Sequence, residues 1–136
     1  MKTVFHPPAP LNEAPSPALV VFSNNTEFWW LKGLRPGFRH CFMVLDMGGQ
    51  WVVYDPLSHQ TKITLLPANR TIDLKAWYEE RGCIAIACTT RAAPLKMAPF
   101  FLFTCVEAVK RVLGLHERAI LTPWQLYKRL IKDFFP

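Results

Sequence analysis

The stretch FLFTCVEAVKRVLG, residues 101–114, places a cysteine one position inside the start of a predicted helix. Thr104-Cys105-Val106-Glu107 fits a capping box, in which a threonine hydroxyl and a glutamate carboxylate reciprocally satisfy free backbone N–H groups. Cys105 then falls at the first helical position. Unpaired N–H groups and the helix dipole favour negative charge there, so its thiol pKa is expected to fall. Val106, Val109, Val112 and Leu113 form the apolar stripe that would bury this helix, with Lys110 and Arg111 expected to face out. Two readings of Cys105 are open: an activated nucleophile, or one more small buried hydrophobe.

A thiolate nucleophile needs a neighbouring base, normally histidine, and a polar group to orient that ring. His6 sits in a proline-rich stretch, His59 in a loop and His116 in a turn between helices; His40 alone lies inside a clear strand pattern. FRHCFMVLD and QWVVYD flank MGG, which reads as a hairpin with a Gly-Gly turn. If Gly48 and Gly49 form the turn, Met47 faces Gln50, Phe42 faces Asp55 and His40 faces Leu57. Alternate residues share a face, so His40 and Asp55 project from the same side, diagonal neighbours at roughly 7 Å between backbones. That is within reach of a carboxylate-to-imidazole hydrogen bond. A core histidine beside an Asp-Pro turn is the other reading of the same two residues. Cys41 points to the opposite face and reads as core. Cys83 and Cys88, five apart on one strand, lie on opposite faces, which fits packing better than a site. Trp29-Trp30 could wall a cleft or fill the core, and Asp46, beside the turn, reads as solvated.

The elements that must hold these residues alternate in a simple order. Residues 1–18 carry five prolines and are expected to lie extended over the surface, leaving 19–136 as a single domain. ALVVF (18–22) reads as a buried strand, and SNNTEFWWLKGL as a short capped helix ended by Gly33. After the hairpin come a strand at 61–66, stopped by Pro67, and a helix capped by Thr71 or Asp73 and ended by Gly82. A strand at 83–88, a loop at 89–99 and helices at 104–113 and 122–134 complete the chain. Strands followed by helices argue for α+β, an antiparallel β-sheet packed against helices.

Composition sets the remaining bounds. With 136 residues, 51% hydrophobic and 19% charged, the chain can bury a core without disulfide or metal staples. The prolines in MKTVFHPPAPLNEAPSP break any signal-peptide core, no window approaches the roughly 18 apolar residues of a membrane span, and a cytoplasmic location with reduced thiols is expected. The four cysteines lack C-x-x-C spacing, and no metal or cofactor is expected. The Asn24 and Asn69 sequons carry little meaning without a secretory signal. The formal charge of +6 is densest at Lys110, Arg111, Arg118, Lys128, Arg129 and Lys132. It could serve an anionic partner or solubility; no nucleic-acid motif accompanies it.

RPGFRHCFMVL, VVYDP and FTCVEAVKRVLGL…ILTPWQLYKRL, about half the chain, resemble the papain-like cysteine hydrolases. The order His40, Asp55, Cys105 is similar to the circularly permuted branch of the NlpC-type peptidases and the lecithin:retinol acyltransferase-like proteins. The resemblance implies a permuted papain-like fold with Cys105, His40 and Asp55 as the catalytic triad, acting on a peptide, amide or acyl substrate. Asp55 stands where the acyltransferase-like branch tends to carry a second histidine, closer to peptidase and acetyltransferase usage. A thioester-dependent acyltransferase, or a non-catalytic binding module using its basic helices, are the alternatives.

Overall fold

The computed structural model describes residues 15–24, 33–57, 59–66, 72–91 and 104–133. Most of the proline-rich stretch with His6, the helix expected around Trp29-Trp30, both sequon threonines and most of the 89–99 loop lie outside these residues. The described elements run β1 (Pro17–Ser23), β2 (His40–Asp46), β3 (Trp51–Pro56), β4 (Thr61–Leu66), α1 (Leu74–Glu79), β5 (Ile84–Thr89), α2 (Cys105–Leu113) and α3 (Pro123–Lys132). All five strands join one antiparallel sheet in the order β4-β3-β2-β1-β5. The architecture is α+β. β1 starts inside the span read as the proline-rich segment, so Pro17 and Ala18 belong to the sheet.

The β2–β3 hairpin follows from its turn. Gly48 and Gly49 both adopt positive φ, 68° and 98°, which the tight two-residue turns matching strand twist require. The turn closes with Met47 N–H donating to the Gln50 carbonyl at 2.8 Å. An even turn fixes the register, and the ladder pairs Asp46 with Trp51, Leu45 with Val52, Val44 with Val53 and Met43 with Tyr54. His40, Cys41 and Phe42 extend beyond that ladder but stay paired to β1, His40 opposite Ser23 and Cys41 opposite Phe22. The start of β2 is therefore held from one side and open to a neighbour on the other.

Period-two alternation divides the apolar side chains between two cores. On one face Val20, Phe22, Cys41 and Met43 pack against Val106, Val109 and Leu113 of α2 and Leu126 and Leu130 of α3. Burying each such side chain contributes about 1.5–3 kcal/mol, so this larger cluster supplies most of the apolar stabilisation. On the other face Leu19, Val21, Val44 and Ala85 pack with Phe42, Trp51 and Val53 against Leu74 and Tyr78 of α1. Coverage stops at the β4 edge, where Ile63 and Leu65 are 66% and 62% exposed.

The helices start where side chains cap them. Asp73 caps α1, its carboxylate accepting from Ala76 N–H at 3.1 Å; Thr71, the other candidate cap, lies outside the described residues. Thr122 and Gln125 form a reciprocal capping box on α3, with Pro123 in the first turn. α2 ends at Gly114, where the N–H groups of Gly114 and Leu115 donate to the carbonyls of Arg111 (3.3 Å) and Lys110 (2.8 Å). Gly114 is left-handed at φ +78°, and a Cβ there would run into the Arg91 carbonyl. Among the described residues, no helix is long and apolar enough to cross a membrane.

Candidate active site

Cys105 is the first residue of α2, as its spacing from Thr104 predicts. Thr104 is extended at φ −99° and ψ 175°, and its hydroxyl accepts from Glu107 N–H at 3.3 Å. The box is only half formed, which corrects the reciprocal arrangement expected from Thr104 and Glu107. The Glu107 carboxylate instead accepts from Lys110 Nζ at 3.1 Å and from Arg111 Nε at 3.3 Å. Lys110 is also not outward-facing: it is 3% exposed and donates a second bond to the Ile120 carbonyl at 3.0 Å. The physical reason is angular. Val106, Val109, Lys110 and Leu113 stand at i, i+3, i+4 and i+7, so the lysine lies on the buried arc. It is tolerated there because a carboxylate and a carbonyl pair its ammonium.

His40 begins β2, and its ring packs on Phe42, two residues along the same face, at 6.1 Å and 28°. Phe42 meets Tyr78 of α1 edge-on at 5.5 Å. This aromatic row fixes the plane of the imidazole. Nε2 lies 2.7 Å from Asp55 Oδ1, so the diagonal pairing expected from hairpin register is the observed one. With Nε2 committed to Asp55, Nδ1 is the ring nitrogen left for a second partner. Asp55 is itself placed by register, opposite Lys62 on β4.

The sulfur of Cys105 meets both His40 and Cys41. Both bear on its ionisation: the His40 ring on one side, and the thiol and backbone of Cys41 on the other, favour the charged sulfur. Since the backbone contact favours the thiolate, the donor is the Cys41 N–H. Cys105 packs against the core of the α2 face, whereas Phe42, in register with His40, belongs to the opposite face. Ring and sulfur come together where β2 begins and the ladder to β3 has opened. Cys41, read from sequence as core, is core, with no exposed surface, but it is also a partner of Cys105.

The electrostatics follow from these contacts. The Cys105 thiol is lowered from 9.0 to about 5, first by the Cys41 thiol, against the opposing effect of burial, and then by the His40 hydrogen bond, the Cys41 N–H and the His40 charge. Burial works to deprotonate His40, but hydrogen bonds with Asp55 and Cys105 and both their charges overcome it, raising the imidazole from 6.5 to about 9. Burial pushes Cys41 well above its ordinary range, Cys88 to about 11 and Cys83 upward. At neutral pH the pair is a thiolate and an imidazolium, beside three protonated cysteines.

The other sequence candidates fall elsewhere. His59 is exposed in the β3–β4 connection, and His116 lies between α2 and α3 with Nδ1 buried and unpartnered among the described residues. Cys83 and Cys88 pack into opposite cores, as their spacing implies. Asp46 is exposed, accepting from Gly49 N–H at 3.3 Å. No group of three or more His, Cys, Asp or Glu among the described residues could hold a metal ion. The basic surface expected on the last helices is smaller than its sequence suggests. Lys110 is buried, and Arg129 is bound to Glu117 at 2.6 Å and to Asp133 at 2.8 Å.

No family model, curated protein or solved structure matches this chain.

Proposed function

We propose that the chain is a cysteine hydrolase of the circularly permuted papain-like kind, acting on an amide or related acyl bond. The observation that carries this reading is the 2.7 Å pairing of His40 on β2 with Asp55 on β3, beside a Cys105 thiol at the start of α2 that the His40 ring helps lower to about 5. A structural cysteine in a core has no need of an imidazolium beside it. The thiolate of Cys105 attacks the substrate carbonyl carbon, and the C=O electron pair moves onto oxygen. The backbone N–H of Cys105, at a helix start where N–H groups lack intrahelical partners, would donate to that oxyanion. His40, protonated and held by Asp55 through Nε2, passes its other ring proton to the departing amine as the tetrahedral species collapses to a thioester on Cys105. Neutral His40 then takes a proton from water. The resulting hydroxide attacks the thioester, the carboxylic acid leaves, and the sulfur returns to thiolate beside a recharged imidazole. Transfer to an amine or alcohol instead of water would use the same three side chains.

Two measurements test the reading. Iodoacetamide at pH 6 should alkylate Cys105 far faster than Cys41, Cys83 or Cys88, as read by peptide mass spectrometry. An activated acyl ester should leave its acyl group on Cys105 and not on the Cys105→Ala variant. Slow labelling of all four cysteines alike would remove the catalytic reading.

A further inference from the structure

The larger core opens where the far ends of α2 and α3 meet the β5 edge. A cavity of about 390 Å³ lies there, walled by Leu113, Leu115 and Leu130 and by Cys88 on β5. The three leucines are 2–4% exposed, so the walls belong to the core. Close-packed interiors leave few voids larger than a water, whereas ligand pockets run from about 300 Å³ upward. Leu113 ends α2, which Cys105 begins; at 1.5 Å per residue the two lie about 12 Å apart, so the cavity is separate from the Cys105–His40 pair.

The charged part of the lining is an ion pair, Arg91 with Asp133, both about half exposed and so at the mouth. Arg91 is anchored by its backbone, its N–H donating to the Leu113 carbonyl at 3.2 Å, and its Nη2 donates to Asp133 Oδ2 at 3.1 Å. The other Asp133 oxygen accepts from Arg129 Nη1 at 2.8 Å, and Arg129 Nε donates to Glu117. Both oxygens of the Asp133 carboxylate are therefore engaged, while two guanidinium groups keep most of their N–H donors. Asp133 also stays held by Arg129 if Arg91 turns toward a ligand. Cys88 is kept protonated by burial, its pKa pushed up to about 11, and adds no charge to the wall.

We propose that this cavity binds a medium-chain carboxylate, its alkyl chain among the leucines and Cys88 and its carboxylate accepting from the remaining N–H groups of Arg91. Apolar walls suit an aliphatic body, and a mouth with donors to spare and its carboxylate engaged selects an anionic end. Octanoate, at roughly 30 Å³ for each non-hydrogen atom, needs about 300 Å³ and fits. Cys88 serves as a reporter inside the cavity, and Cys83, packed on the opposite face of the sheet, as its control.

The test is titration of the whole chain with octanoate, followed by methyl NMR and by peptide-resolved alkylation of Cys88 at pH 9. A dissociation constant of about 1 mM or tighter is expected. At roughly ten times that constant octanoate should slow Cys88 labelling about tenfold and leave Cys83 unchanged. Octanol, uncharged, should bind about five- to tenfold more weakly, and Arg91→Gln should bring octanoate down to the octanol level. Cys88→Phe fills the space and should abolish the methyl shifts; Cys88→Leu replaces it if the larger side chain prevents folding, as read by near-UV circular dichroism. Cys88 labelling that octanoate leaves unmoved overturns the inference, as does equal slowing of Cys83. Octanol binding as tightly as octanoate also overturns it, a comparison that needs no variant should Arg91→Gln fail to fold. Because Cys88 and Cys83 are read and Cys105 is not, the outcome stands apart from the catalytic reading.

Discussion

The charge state of the Cys105–His40 pair makes the most direct quantitative prediction. With ordinary values of 9.0 for a thiol and 6.5 for an imidazole, roughly one molecule in four hundred would carry thiolate and imidazolium together at pH 7. With the sulfur at about 5 and the ring at about 9, nearly every molecule does. The signs set the window. The thiol is lowered, so the thiolate forms as pH rises through about 5; the imidazole is raised, so its charge persists until pH passes about 9. Peptide-resolved alkylation from pH 4 to 10 should therefore show Cys105 reactivity rising with a half-point near 5 and then staying level through neutrality. Hydrolysis of an acyl substrate should follow a bell, because above about 9 the ring no longer carries the proton that the leaving group needs. His40→Ala should move the labelling half-point back up, since both the ring's hydrogen bond and its charge hold the thiol down. A single Cys105 labelling step near the ordinary thiol value of 9.0 would refute the ion pair.

Two further outcomes follow from neighbouring contacts. Asp55→Asn removes the strongest of the influences that keep His40 charged while leaving the contacts of Cys105 itself intact. The alkaline limb should move toward neutrality, by more than about half a pH unit, with the acid limb nearly unmoved; histidine ring titration by NMR checks this. Lys110→Met leaves Glu107 buried with only the half-exposed Arg111, and should cost about 3 kcal/mol in denaturant unfolding. Arg111→Met should cost less than about 1 kcal/mol. Equal losses for the two variants would mean that the buried pair is not what holds α2 against the 120–121 connection.

The hairpin is legible because a two-residue glycine turn leaves one register open to it, and register alone sets His40 diagonal to Asp55. Thr104, Gly114 and the Thr122-Pro123-Gln125 run mark the ends of α2 and α3 because capping is local chemistry. What escapes a sequence reading is set by residues distant in the chain. Alternation assigns His40 and Cys41 to opposite faces, yet a helix arriving at the very start of the strand touches both. Lys110 reads as exposed by its charge, although its i+4 spacing from Val106 already puts it on the buried arc, and the carbonyl that receives it belongs to Ile120. Glu107 escapes for a local reason: Lys110 and Arg111, three and four residues along α2, hold the carboxylate that the capping box would use. The helix start is the local reason the sequence offers for a low thiol pKa; the contributions of Cys41 and His40 come from residues far away in the chain.

The two halves of the site emerge from the ribosome far apart in time. The hairpin bearing ring and carboxylate is complete once Pro56 has been synthesised, and the sulfur follows only after β4, α1 and β5. Until α2 docks against β2, Cys105 is an ordinary thiol. A nascent or proteolytically shortened chain lacking either half therefore lacks the Cys105–His40 pair, and labelling of Cys105 at low pH doubles as a report that both halves have docked.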